Sequence, residues 1–133
     1  MRNISSEIGH ATVAAVVDRF YNRVNLHPTL QGPFAVVHDW PLHKQHLTHF
    51  WWVSLGGERY MDYQYQVPGK HAAAGFTPEL LAPWLDLFRT TVREHVEAAL
   101  ADEWIERAER IGQSLQLLHA YAREQQAVEQ ASA

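Results

Sequence analysis

The chain contains no cysteine. Disulfides, thiolate metal sites, thioether links to a cofactor and cysteine nucleophiles are thereby excluded together, and the composition fits the reducing cytosol. Lysine is nearly as scarce, with Lys44 and Lys70 the two in the chain. The arginines are scattered and the net charge is −4. The clustered basic surface that neutralises phosphates is therefore missing, and no nucleic-acid partner is expected. Long apolar runs are absent too: the uncharged stretch from His46 to Gly57 falls far short of the roughly 20 residues that span a bilayer. The apolar run Ala11 to Val17 is flanked by Glu7 and by Asp18-Arg19, which is not the pattern of a cleavable signal. The expectation is a soluble, cytoplasmic protein with no membrane partner. Gly-x-Ser-x-Gly and phosphate-cradling glycine loops do not occur, so hydrolase and nucleotide chemistry have no support.

What is present is one domain's worth of chain. At 133 residues it can bury roughly two thirds of its unfolded surface, and a single domain over 1–133 is expected, with a core from about 8 to 122. The tail 125–133 is polar and small and is expected to fray. Aromatics are abundant, with five Trp, five Tyr and five Phe, more than a compact domain needs unless it lines a cavity or packs on something flat.

The spacing predicts helices throughout. From Ala11 to Val24 the stripe Val13, Val17, Phe20, Tyr21, Val24 repeats every three or four residues and places Tyr21 on a buried face. The chain breaks at His27-Pro28 and Gly32-Pro33. Asp39 is a good N-cap with Pro41 in the first turn, and Gly56-Gly57 ends that helix. Its stripe is His43, Leu47, Phe50, Trp51 and Ser54. A tyrosine-rich connector, 57–69, leads to His71 on a short element closed by Gly75. Thr77-Pro78 opens a third long helix burying Trp84, Leu85, Phe88, Val92, Val96 and Leu100. Pro83 would cost about 3 kcal/mol inside it, so a kink or a start near Ala82 is expected. A last helix, capped by Asp102, presents Trp104, Ala108, Ile111, Leu115, Leu118 and Ala122. The fold class is all-α.

Several residues could carry chemistry. His71 follows Lys70 just past the connector. A histidine near a helix end finds free backbone carbonyls to hold its second ring nitrogen while the first binds iron. A surface histidine beside a lysine explains the same spacing. His43, His46 and His49 form His-x-x-His-x-x-His, but positions three apart on a helix diverge by about 60° and fan out rather than converge. A zinc site using His43 and His46 would need a further ligand from elsewhere. Glu-x-x-His, the di-iron bundle signature, occurs at Glu7–His10 with a weakening Gly9 inside it. Tyr21 and Trp84 are amphipathic donors at inward positions, where ordinary core packing and ligand contact are both open.

Taken in order, Phe20-Tyr21-x-x-Val24, Leu30 to Phe34 with Gly32-Pro33, Trp40-x-x-His43, Phe50-Trp51, Lys70-His71 and Trp84-Leu85-x-Leu87-Phe88 resemble the truncated haemoglobins. The aromatic pair Phe50-Trp51 favours their third group, over about residues 8 to 120. The resemblance implies a truncated globin fold, a two-over-two helical sandwich around haem. It implies that His71 is the proximal iron ligand, and that Tyr21, His43, Leu47 and Trp84 line the distal pocket. His43 would be a gate or a sixth ligand, and Phe34, Phe50, Trp51 and Phe88 would contact the cofactor. The cofactor implied is haem b, pentacoordinate, binding O₂, NO or another diatomic ligand, or peroxide. Redox or detoxifying chemistry, of the NO dioxygenase or peroxidase kind and fed by an electron-donating reductase, is implied over bulk oxygen transport. The connector departs from the family pattern Tyr-x-Gly-x-Pro: Pro68 stands three residues before His71 rather than four, and Tyr60, Tyr63 and Tyr65 all lie in it. Two alternatives of other kinds stand beside this reading. One is a non-haem helical metal-binding enzyme using His43 and His46; the other is a helical interaction module whose aromatics are core.

Overall fold

A computed structural model describes residues 2–63 and 77–132, with side chains through 131. His71, Lys70, Tyr65, Pro68, Gly69 and the short element ending at Gly75 lie outside the described residues. Those described form helices and connecting turns, with no strand among them.

The N-terminal turn α1 (Ser5–Ile8) is separated from α2 (His10–Val24) by Gly9, whose φ of +90° suits a residue without Cβ. Along α2 the buried residues are Val13, Val16, Val17, Phe20, Tyr21 and Val24, the expected stripe with Val16 added. The break expected at Gly32-Pro33 is instead a short helix, α3 (Gln31–Phe34). Pro33 lies in its first turn, where an N–H has no intrahelical acceptor to lose.

Helix α4 (Trp40–Ser54) begins as the sequence predicts. Asp39 Oδ1 accepts from the Leu42 N–H at 3.1 Å, and Pro41 sits in the first turn. It ends at Leu55 and at Gly56, which takes a φ of +106°. The Leu55 carbonyl then accepts the N–H groups of Ile4 and Ser5 at 2.9 and 3.1 Å, pinning α1 to the end of α4. Arg107, buried, donates to the carbonyls of Ser54 (2.9 Å) and Arg2, so a later helix fastens both segments.

Several expectations for the C-terminal half need correction. Helix α5 (Pro78–His95) starts at Pro78, as Thr77-Pro78 predicts, and carries Pro83 inside it, so the alternative start near Ala82 does not hold. The acceptor that Pro83 cannot engage is the carbonyl of Glu79, an exposed first-turn residue that water reaches. Val96, extended at φ −127°, lies just past the end of α5 and is half-buried. Helix α6 (Ala98–Ser132) is capped by Glu97 and not by Asp102. The Glu97 carboxylate accepts from Ala99 and Leu100 N–H groups at 3.2 and 3.1 Å. Asp102 lies in the next turn and pairs with Arg93. Ala101, Trp104, Ile105 and Ala108 are buried, whereas Leu118 and Ala122, expected on the core stripe, are exposed. The helix also continues past Gln125, where fraying was the expectation, through Ser132.

Helix α2 packs against both α4 and α5, and α5 packs against α6. Thus α2 with α4, and α5 with α6, make two helix pairs joined through α2 and α5. Gly112 brings the second pair close: a Cβ there would lie 2.9 Å from Leu81 Cδ1. No described helix is long and apolar enough to cross a membrane.

Candidate functional site

Aromatic side chains from each of the four long helices and from α3 meet in one continuous cluster with two lobes. Phe20 on α2 is the hinge between them. Its ring is edge-on to Tyr21 (4.8 Å), Trp84 (5.0 Å) and Phe88 (5.2 Å), the favoured arrangement for quadrupolar rings.

The first lobe gathers Tyr21, Phe34, Trp40 and His43. Tyr21 lies 5.6 Å from Phe34, 5.7 Å from Trp40 and 6.3 Å from His43 between ring centres. Trp40 stands edge-on to His43 at 5.3 Å and tilted beside Phe34 at 6.3 Å. Local rules explain the meeting. The Asp39 cap fixes Trp40 as the first helical residue, and His43 follows three positions later on the neighbouring part of the same face. Tyr21 reaches them from the inward stripe of α2. Tyr21 is buried, while Phe34, Trp40 and His43 are half-buried. The lobe is thus apolar-walled, with a phenol and an imidazole as its polar tips.

The second lobe holds Trp84, Phe88, Trp51 and Trp104. Trp84 and Phe88, one turn apart on α5, stack at 5.1 Å with an interplanar angle of 9°. Trp51 stacks on Phe88 at 5.2 Å, and Trp104 closes the group at 5.8 Å from Phe88 and 5.9 Å from Trp51. Two buried polar atoms here, Nε1 of Trp84 and Nε1 of Trp104, have no hydrogen-bond partner among the described residues. A buried donor without an acceptor costs about 1–3 kcal/mol, so each calls for an explanation.

Of the residues singled out from the sequence, Tyr21, Phe34 and His43 come together in the first lobe, and Trp51, Trp84 and Phe88 in the second. Leu47 is buried one turn beyond His43. Phe50 is half-buried with its ring 5.1 Å from Trp51. His71 lies outside the described residues. Trp40 and Phe20 are more central to the cluster than their spacing indicated, Phe20 because it touches both lobes.

The three histidines of α4 diverge, as their spacing requires. His43 turns to Trp40 and Tyr21. His46 stacks on Tyr63 at 3.6 Å. His49 is buried, its Nε2 accepting from the backbone N–H groups of Tyr60 and Met61, both at 3.3 Å. Burial first, then the charges of Arg59 and His46, push its pKa below the ordinary histidine value. Among the described residues no three His, Cys, Asp or Glu side chains converge as a metal-ion site.

A family model described as bacterial-like globin matches residues 4–117. No curated protein matches the chain, and no solved structure does.

Proposed function

The chain belongs to the bacterial-like globins, and from that premise we propose that it is a group III truncated haemoglobin that holds haem b and binds O₂, NO or peroxide beside a polar distal pocket. A globin is a haem-binding protein, and that much follows from the family. The finer assignment is supported by the ordered motifs from Phe20-Tyr21 to Leu87-Phe88. Haem b rather than a thioether-linked haem is supported by the absence of cysteine.

One observation carries the reading: Trp84 Nε1–H is a buried donor without an acceptor among the described residues, and Phe20 links its ring to the lobe of Tyr21 and His43. A small polar ligand would supply the partner such a donor lacks among the described residues. The residues therefore fit the cofactor. His71 would ligate the iron from the proximal side, and Phe34, Phe50, Trp51 and Phe88 would supply apolar contact. When bound, haem supplies an iron centre that takes a diatomic gas and exchanges electrons. The chain contributes the rest. Tyr21 and Trp84 would donate hydrogen bonds to a small polar ligand, Leu47 would keep water out, and His43 would act as a gate or as an alternative ligand to the iron. Each donor hydrogen bond is worth about 0.5–1.5 kcal/mol, roughly two- to tenfold in ligand escape. Tight holding of this kind suits redox or detoxifying chemistry supplied by a reductase more than bulk oxygen transport.

The test is haem titration of the purified chain followed by absorption. A Soret band should form in the wild type, vanish in His71→Gly, and return when imidazole is added to that variant. No band in the wild type, or a band that survives His71→Gly without imidazole, overturns the assignment. The spin state of the ferric protein, with and without His43→Ala, separates gate from ligand.

A further inference from the structure

Immediately before residues 64–76, the connector is held by three histidines from two helices. His49 of α4 accepts the Tyr60 and Met61 backbone N–H groups on a single ring nitrogen, 3.3 Å from each. The same imidazole stands edge-on to the Tyr60 ring at 4.7 Å. From α2, His10 Nε2 shares a hydrogen bond with the Tyr60 hydroxyl at 2.7 Å. From the next turn of α4, His46 lies flat on Tyr63, with ring centres 3.6 Å apart and planes 7° from parallel. Arg59 Nη1 closes the loop on itself by donating to the Tyr63 carbonyl at 3.2 Å.

We propose that His10, His46 and His49 form an acid-sensitive clasp that fastens the 60–63 run to α2 and α4 at neutral pH and releases it when His49 takes up a proton. The chemistry turns on one atom. An imidazole nitrogen accepts a hydrogen bond only while it carries no proton. Protonation replaces the acceptor for Tyr60 and Met61 with an N–H facing two other N–H groups. It also places a cation at a side chain that is 3% exposed. Among the described residues, the titratable and charged groups shown against His49 are Arg59 and Tyr60 on the connector, His46 on its own helix, and His10 across Tyr60 from α2. None is a carboxylate that could compensate the new charge, and partial burial holds the Tyr60 phenol above its ordinary value, so it stays neutral. The sign follows: His49's folded pKa lies below its unfolded value of about 6.5. The native state thus binds fewer protons, and the stability that neutral His49 contributes is present above pH 6.5 and lost as pH falls through the folded pKa. The clasp stands on the geometry alone; its effect on cofactor retention rests on the haem reading, because 64–76 includes His71.

Backbone amide exchange of the full chain, read residue by residue by NMR between pH 7.5 and 5 and corrected for intrinsic rates, tests the clasp. Protection of the Tyr60 and Met61 amides should drop by up to about tenfold per pH unit once His49 titrates, while core amides such as Val17 hold steady. His49→Gln, whose amide oxygen accepts at every pH, should flatten that response. Unchanged protection in the wild type, or the same response in H49Q, overturns the proposal. If H49Q does not fold, the wild-type ring decides: nitrogen shifts at neutral pH should show Nδ1–H with bare Nε2, and the opposite tautomer overturns the clasp. Haem transfer to an excess of apomyoglobin should quicken in acid more steeply for the wild type than for H49Q. A chain that shows the amide response without binding haem contradicts the haem reading and leaves the clasp supported.

Discussion

Trp84→Phe separates stability from function because its effects on stability nearly cancel while its effect on ligand escape does not. The indole Nε1–H of Trp84 is buried, the residue is 9% exposed, and the donor has no partner among the described residues. Phenylalanine removes that donor and so recovers about 1–3 kcal/mol of desolvation cost. It also removes roughly 40 Å² of apolar contact, about 1 kcal/mol, and leaves a small void worth about 1 kcal/mol more. The stacking on Phe88 at 5.1 Å and the edge contact with Phe20 at 5.0 Å are available to a phenyl ring. The two sides nearly cancel, and urea denaturation at matched haem occupancy should move by less than about 1 kcal/mol. A tryptophan whose N–H was satisfied would instead lose about 3 kcal/mol. Ligand escape, measured by stopped flow on the haem-loaded protein, should quicken roughly two- to tenfold as the donor is lost. Trp104→Phe is the internal control. Its N–H is equally orphaned, but its ring meets Phe88 and Trp51 rather than the Phe20 hinge, so stability should again hold and ligand escape should not change. A loss near 3 kcal/mol in W84F, or unchanged ligand escape, would refute the reasoning.

Arg107→Met keeps the buried aliphatic stem but strips the donors from the Ser54 and Arg2 carbonyls. A loss of about 2 kcal/mol is expected in urea denaturation, with early amide exchange at residues 2–8. Gly56→Ala places a Cβ 2.8 Å from Asn3 Cα at a φ of +106°. The backbone conformation alone should cost about 1–3 kcal/mol, visible as a lowered Tm, because backbone rather than a flexible side-chain end must yield. The Glu94 carboxyl is held below its ordinary range chiefly by hydrogen bonding to Arg23. Its contribution is therefore present above about pH 4.5 and lost as pH falls, and Glu94→Gln should flatten the acid limb of the stability profile.

What the sequence discloses, and what it withholds, divides along a physical line. The stripe from Val13 to Val24 and the Asp39-Trp40-Pro41 start are legible because both are encoded within a few residues of themselves. The cap of α6 is not. Glu97 and Asp102 both precede apolar periodicity, and aspartate is the better N-cap by preference; the extended Val96 decides for Glu97 by ending α5 immediately before it. Periodicity also cannot say where a packing partner stops. Leu115, Leu118 and Ala122 keep helical spacing, yet α6 spans 35 residues against 18 for α5, so its later turns outrun the helix they would cover. Pro83 misleads for a related reason, since a proline's cost depends on whether the carbonyl it orphans can reach water.

The histidines of α4 bring local rule and tertiary outcome together. Spacing three apart turns successive side chains by about 60°, which predicts that His43, His46 and His49 serve different partners. It does not say which. The fold assigns them: His49 inward to the connector backbone, His46 to the Tyr63 face, and His43 to Trp40 and Tyr21. A metal site built on His43 and His46 would have to pull His46 off a ring stacked at 3.6 Å and turn it towards a different side of the helix. The aromatic lobe asks no such movement of His43. That difference weighs against the His43–His46 site on geometry, because of the three α4 histidines the haem reading calls on His43 alone, where Trp40 and Tyr21 already hold it.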